Sequence, residues 1–252
     1  MKRFCFSALA ASVAIGSLVS CNEGFSSTTY SSEDSFAAAE GSGYALEVRI
    51  SAEYPASGLQ KTALDNIDKT LTATLFGDMY SALDPEKAIE AYKADRVKEY
   101  RETNAPLIKE SGEMPTASLD WSDYVTGAVS GCHKNILSYS VTKYSFTGGA
   151  HGMTAETALN FDMKTGDLLT ESDFFKEGYK DRLPGLLSSH LAESLENPSD
   201  TSMLFTQEIG PNGNFAIGEK GITYIYNQYE IGPYAMGIIR VTVPWEELEG
   251  LY

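Results

Sequence analysis

The apolar residues of this chain change period in an order that leaves few folds open. The segment YALEVRIS at 44–51 alternates Leu46, Val48 and Ile50 against Glu47 and Arg49, the mark of a strand with one buried face. Leu64, Ile67, Leu71 and Leu75 then recur at helical spacing. Asp84-Pro85-Glu86 starts a second helix, with a capping carboxylate, a proline whose missing N–H costs nothing there, and acid in the first turn. Ile89, Tyr92, Val97 and Tyr100 form its apolar stripe. From Trp121 onward the pattern turns to strands, 136–146 and 154–163, with Lys164-Thr165-Gly166 as a tight turn after them. Leu183, Leu187, Leu191 and Leu195 mark one more helix with Pro184 near its first turn, and 221–231 and 236–245 read as neighbouring strands across Gly232-Pro233. Strand, helices, strands, helix, strands is a segregated order. It predicts an α+β fold of mainly antiparallel sheet packed with a few helices, in two intimately associated subdomains, 44–160 and 161–252.

The N-terminus sets an address. Residues 1–21, MKRFCFSALAASVAIGSLVSC, have a basic start in Lys2 and Arg3, an apolar run from Phe4 to Val19, and a small residue before Cys21. This is an export signal, too short and too poor in large apolar side chains to make a good membrane span. Leu18-Val19-Ser20-Cys21 resembles the bacterial lipobox, which implies a signal peptide at 1–20, lipid attachment at Cys21, and a folded part held outside a bacterial cell membrane by that anchor alone. Residues 21–43 are rich in Ser, Thr, Gly and acid without apolar period, and read as a flexible tether. Cys5 leaves with the signal and Cys21 carries lipid, so the expected body has no intramolecular disulfide and depends on its core. Losing Lys2 and Arg3 takes the net charge from −16 to −18, which repels nucleic-acid phosphates and favours basic partners or plain solubility.

The stretch YSFTGGAHGMT at 144–154 puts three glycines and a histidine between two strands. Glycine permits positive φ and close approach, and histidine is the side chain most easily tuned near neutral pH. His151 therefore has three readings: it braces the turn, touches a ligand, or does chemistry. Nothing nearby supplies a triad, since there is no G-x-S-x-G elbow, and Cys132 and His133 point to opposite faces if they lie on a strand. Three histidines without H-E-x-x-H or Cys-x-x-Cys spacing give no zinc site, and no D-x-D-x-D-G loop marks calcium, so no metal or cofactor is expected. Glu230, between Tyr229 and the Gly232-Pro233 turn with Tyr234 beyond, is a conceivable member of a glycosidase carboxylate pair or simply a strand end. The candidate ligand-binding or turn-bracing residues are Gly148, Gly149, His151, Gly152, Tyr229, Glu230 and Tyr234.

With those residues in view, Thr147–Gly152, Asp162–Gly166 and Tyr229–Gly237 carry a resemblance that extends from about Tyr44 to Leu251. The chain is similar to the paired domains of unknown function in lysozyme-sensing anti-sigma factors of the RsiV type, related segments of which stand beside the catalytic domain of PdaC-type peptidoglycan deacetylases. Unlike those sensors, this chain has a cleavable lipoprotein signal where they have a sigma-binding segment and a membrane helix. It also has nothing that matches the metal-binding domain of the deacetylases. The resemblance implies an envelope recognition module without catalysis, whose partner is a lysozyme-like protein or a peptidoglycan-type glycan. A cell-wall hydrolase with an unrecognised carboxylate pair is the alternative.

Overall fold

The computed structural model describes residues 13–14, 24–110 and 119–252. Cys21 lies outside the described residues. The first sheet is built in the order β1 (Val13–Ala14), β2 (Ser26–Ala37), β3 (Ala45–Ser57), β4 (Trp121–His133), β5 (Ile136–Phe146), β6 (Met153–Asp162). Every neighbouring pair is antiparallel except β3 with β4, where Leu46 pairs with Trp121 and Ala52 with Gly127. A parallel step requires a crossover, and helices α1 (Lys61–Phe76) and α2 (Pro85–Glu110) supply it. Ala63, Ile67, Leu71 and Leu75 recur every fourth residue of α1 and bury its inner stripe against the sheet. Asp84 caps α2, its Oδ1 accepting from the Lys87 N–H at 3.1 Å. Buried Asp123 on β4 accepts from the Tyr92 hydroxyl at 2.7 Å and from Arg96 Nε at 2.6 Å, which pins α2 to the sheet with its charge paired.

The second body holds α3 (Glu171–Phe174), α4 (Tyr179–His190) and a three-stranded antiparallel sheet of β7 (Phe215–Ile217), β8 (Gly221–Tyr226) and β9 (Ile239–Pro244). Leu183, Leu187 and Leu191 close its core against Ile217, Tyr224 and Val241. Pro184 is the sixth residue of α4, which begins at Tyr179, so its missing N–H forfeits the intrahelical bond that Lys180 O would otherwise receive. The α+β class and mainly antiparallel sheet follow the order of periods in the sequence.

Three expectations need correction. The tether is largely a strand, because Ser26–Ala37 pairs along β3 from Ser57 to Ala45. Backbone bonds to β3 hold it, Tyr30 and Phe36 pack on the first core, and Lys93 Nζ reaches Asp34 at 2.8 Å and Ser32 at 2.9 Å. A boundary at 160/161 would cut β6. Leu159, Phe161 and Met163 belong to the first core and the second begins at Phe175, so the division falls between them. Finally, Cys132 is disulfide-bonded. The chain's other cysteines, Cys5 and Cys21, are both outside the described residues.

Candidate functional site

The loop after β5 uses its glycines for different reasons. Gly148 and Gly149 have φ of 92° and 101°, a region L side chains rarely adopt, and space around Gly149 is open. Gly152 is buried, and a Cβ there would stand 2.5 Å from the Tyr144 ring. The first pair serves the turn. The last serves a close approach.

That loop meets the segment following β8. The His151 ring stacks on Tyr234, with centroids 3.8 Å apart and planes 26° apart, and Tyr229 lies 5.9 Å from Tyr234, centroid to centroid. His151 Nδ1 is 3.1 Å from the Gly152 carbonyl, which also accepts from the Tyr234 hydroxyl at 2.9 Å. The Tyr229 hydroxyl stands 3.4 Å from His151 Nε2. One neutral tautomer serves both ring nitrogens, Nδ1–H donating to Gly152 and Nε2 accepting from Tyr229. His151, Tyr229 and Tyr234, up to 83 positions apart by their numbering, thus form one cluster, with His151 and Tyr229 exposed and Tyr234 partly buried.

Tyr229 is held there by its turn. Its φ of 67° is left-handed, uncommon for a bulky side chain. The Glu230 N–H donates to Asn227 O at 3.0 Å, and the Glu230 carboxylate accepts from the Asn227 N–H at 2.8 Å and from Asn212 Nδ2 at 2.6 Å. Glu230 therefore braces the turn that displays Tyr229. Such backbone strain, held by surrounding bonds, is the kind found where a side chain is displayed for function.

The sequence reading missed the seam beneath this cluster. Strand β6 is the last of its sheet, and side-chain amides stand where another strand would be. Gln228 Oε1 accepts from Thr154 N at 2.9 Å, and Asn227 Oδ1 accepts from Glu156 N at 2.7 Å. Asn214 Oδ1 accepts from Ala158 N at 2.8 Å, while Asn214 and Asn227 both donate to Glu156 O, at 2.8 and 3.0 Å. Buried Ser138 and Asn160 bond to each other and to the β7 backbone, and Glu156 pairs with Arg240. The one local signal was Asn-Gln at 227–228, polar residues directly after an apolar strand. Elsewhere, His133 stacks on Trp245 at 4.2 Å, and burial, with Lys134 adding to it, lowers its pKa. His190 Nε2 lies 3.1 Å from Glu247 Oε1. Among the described residues no three His, Cys, Asp or Glu side chains gather as a metal set.

Comparison with known proteins matches the two halves separately. Residues 45–154 match the family model described as Deacetylase PdaC, and residues 172–246 match Protein of unknown function (DUF3298). The chain therefore carries the paired domains that its sequence resembles. Its structure is similar to that of a DUF3298 family member from Bacteroides fragilis NCTC 9343, with 28% identity and a TM-score of 0.81 over 90% of this chain and 93% of that one. A DUF3298 family protein from Pseudomonas aeruginosa PAO1 shares the fold, with 20% identity and a TM-score of 0.65 over 91% and 95% of the two chains. No curated protein sequence matches this chain.

Proposed function

We propose that this pairing of a PdaC-type and a DUF3298 domain is a binding module of the bacterial cell envelope, anchored by lipid on Cys21, which recognises a protein such as a lysozyme or a cell-wall glycan without transforming it. The observation that carries this reading is Tyr229, a half-exposed aromatic side chain on strained backbone beside His151 and Tyr234. A displayed aromatic offers large contact area at small entropic cost, as recognition surfaces require. The Glu230 carboxylate is taken up by Asn212 and the Asn227 N–H, which supports a bracing role over acid–base work. No helix among the described residues is long and apolar enough to cross a membrane, which accords with attachment through the anchor.

The test is retention. The full processed chain is incubated with purified peptidoglycan and with lysozyme, and bound protein is measured beside the variants Tyr229→Ala and His151→Ala. The expected result is retention on at least one of the two, lost at least tenfold in Tyr229→Ala at an unchanged thermal midpoint. Retention unaffected by either substitution would remove the cluster from the binding site. Release of a soluble product by the wild-type chain, abolished in His151→Ala, would replace binding with catalysis.

A further inference from the structure

We propose that the tether end of the first sheet contacts an anionic lipid surface, so that the module stands upright on its membrane; this rests on the Cys21 anchor of the proposed function and goes beyond it. With residues 26–37 built into β2, four residues separate Cys21 from Ser26, a reach of about 17 Å at full extension. The anchored body is therefore held against the bilayer at the end where β2 begins. Strand pairing identifies that end. Ser26 lies opposite Ser57 at the close of β3, β4 runs parallel to β3 and closes at His133, and Ile136 of β5 pairs with both His133 and Asp162. The connections there are 58–61, 134–135 and 163–166. The His151 loop, 147–152, joins β5 to β6 at the opposite end, about 35 Å away along the strand.

Charge distinguishes the two ends. The three connections on the tether side hold Lys61, Lys134 and Lys164, all exposed, and no carboxylate. The described loops on the far side, 38–44, 119–120 and 147–152, hold Glu40 and Asp120 and no lysine or arginine. A chain with a net charge of −16 thus turns three cations toward its own anchor. The connections are tied side by side, Met163 N donating to Asn135 O at 2.8 Å and Asn66 Nδ2 to Thr165 O at 2.9 Å, which links both turns to α1. Flanking acids are engaged. Asp162 Oδ1 accepts from the N–H groups of Lys164 and Thr165 at 2.7 and 3.1 Å, and Asp65 meets Lys61 at 2.9 Å in an exposed pair that water screens. Lys164 forms no ion pair with a described residue, and Lys134 Nζ stands 5.3 Å from the Tyr252 ring. A lysine gains from the potential of an anionic bilayer within a Debye length, about 8 Å in physiological salt, and needs no pocket to do so. The C-terminal turns of the second body carry Glu246, Glu247 and Glu249, so the contact is assigned to the first sheet alone. Upright on this end, the module presents His151 and Tyr229 away from the membrane.

The two tryptophans read the orientation. Trp121 opens β4 at the far end and Trp245 stacks on His133 at its close, so about 40 Å of strand separates them. The processed chain, with lipid on Cys21 verified by mass, is placed in phosphatidylcholine vesicles with and without phosphatidylglycerol, each carrying a dansyl-headgroup lipid. Energy transfer to dansyl is measured from Trp245 in Trp121→Phe and from Trp121 in Trp245→Phe. With phosphatidylglycerol, transfer from Trp245 is expected to exceed that from Trp121 by about twofold or more. High salt, or the triple change Lys61→Gln, Lys134→Gln, Lys164→Gln, should return the ratio to its phosphatidylcholine value. The salt arm makes that comparison with every lysine in place. Equal transfer from the two tryptophans, or a ratio that ignores both phosphatidylglycerol and salt, overturns the proposal and leaves the anchor standing. A membrane-derived chain without lipid overturns the anchor and this inference together.

Discussion

At the scale of single residues, the glycine loop separates two costs that sequence cannot tell apart. Gly149→Ala meets open space and suffers only from its φ of 101°, so it should destabilise by about 1–2 kcal/mol. Gly152→Ala has no such φ but drives a methyl into the Tyr144 ring, and overpacking of this kind costs about 1–3 kcal/mol. Urea unfolding should show both losses. Only Gly152→Ala should also alter the near-UV signal of the Tyr124–Tyr144 stack, whose rings lie 5.3 Å apart. A Gly152→Ala protein with wild-type stability and spectrum would contradict this account. Asp68 on α1 makes a prediction about pH. Burial, with Asp65 adding to it, raises its pKa from 3.8 to about 6, and its Oδ1 is buried without a hydrogen-bond partner. The folded state then keeps a proton that the unfolded chain has released, so Asp68 makes stability fall as pH rises from about 4 to about 6. Asp68→Asn should melt higher than wild type at pH 7 and alike near pH 4. Equal melting at both values would mean that the carboxylate is solvated. The glycines were legible as a turn and His151 as a candidate. Asp68 was not, because nothing in an apolar stripe of α1 reveals which flanking carboxylate the fold will bury.

Among the elements, β6 shows how one strand ends a sheet without offering its edge. An open edge is a template for unwanted pairing, and here amides of Asn214, Asn227 and Gln228 occupy it. Asn214→Ala would leave the Ala158 N–H with no acceptor, at about 1–3 kcal/mol. Hydrogen exchange at Ala158 should quicken, whereas amides of α1 should change no more than the global stability does. Protection at Ala158 equal to wild type would show that the amide is dispensable. Strand β2 is the opposite case. Its sequence, SSTTYSSEDSFA, has the composition of a linker, yet it forms a 12-residue ladder with β3. Periodicity finds strands by the side chains they bury, and a strand near the sheet's edge, held by backbone bonds, buries few. The helices α1 and α2 were legible for the converse reason, since each must bury a stripe to form at all.

For the molecule as a whole, anchoring is the claim to test. Cys21→Ala should move the protein from the membrane to the soluble fraction, and unchanged membrane attachment would sink the lipoprotein assignment. The disulfide at Cys132 sharpens the test. A signal cleaved at 20 would remove Cys5 and lipidation would occupy Cys21, so the Cys132 disulfide of the unprocessed 252-residue chain should be absent from the anchored protein. Mass spectrometry of membrane-derived protein should find lipid on Cys21; a Cys21–Cys132 bridge there would count against the anchor. The sequence by itself determined the class of the fold, the helices and inner strands, and the acidic surface, because each follows from local period or from composition. Only the tertiary structure decided that residues 26–37 are a strand, that the bodies divide after Met163, and that His151 meets Tyr229 and Tyr234. Those outcomes depend on contacts between residues distant in the chain, whose bonds run largely through backbone groups that every residue shares.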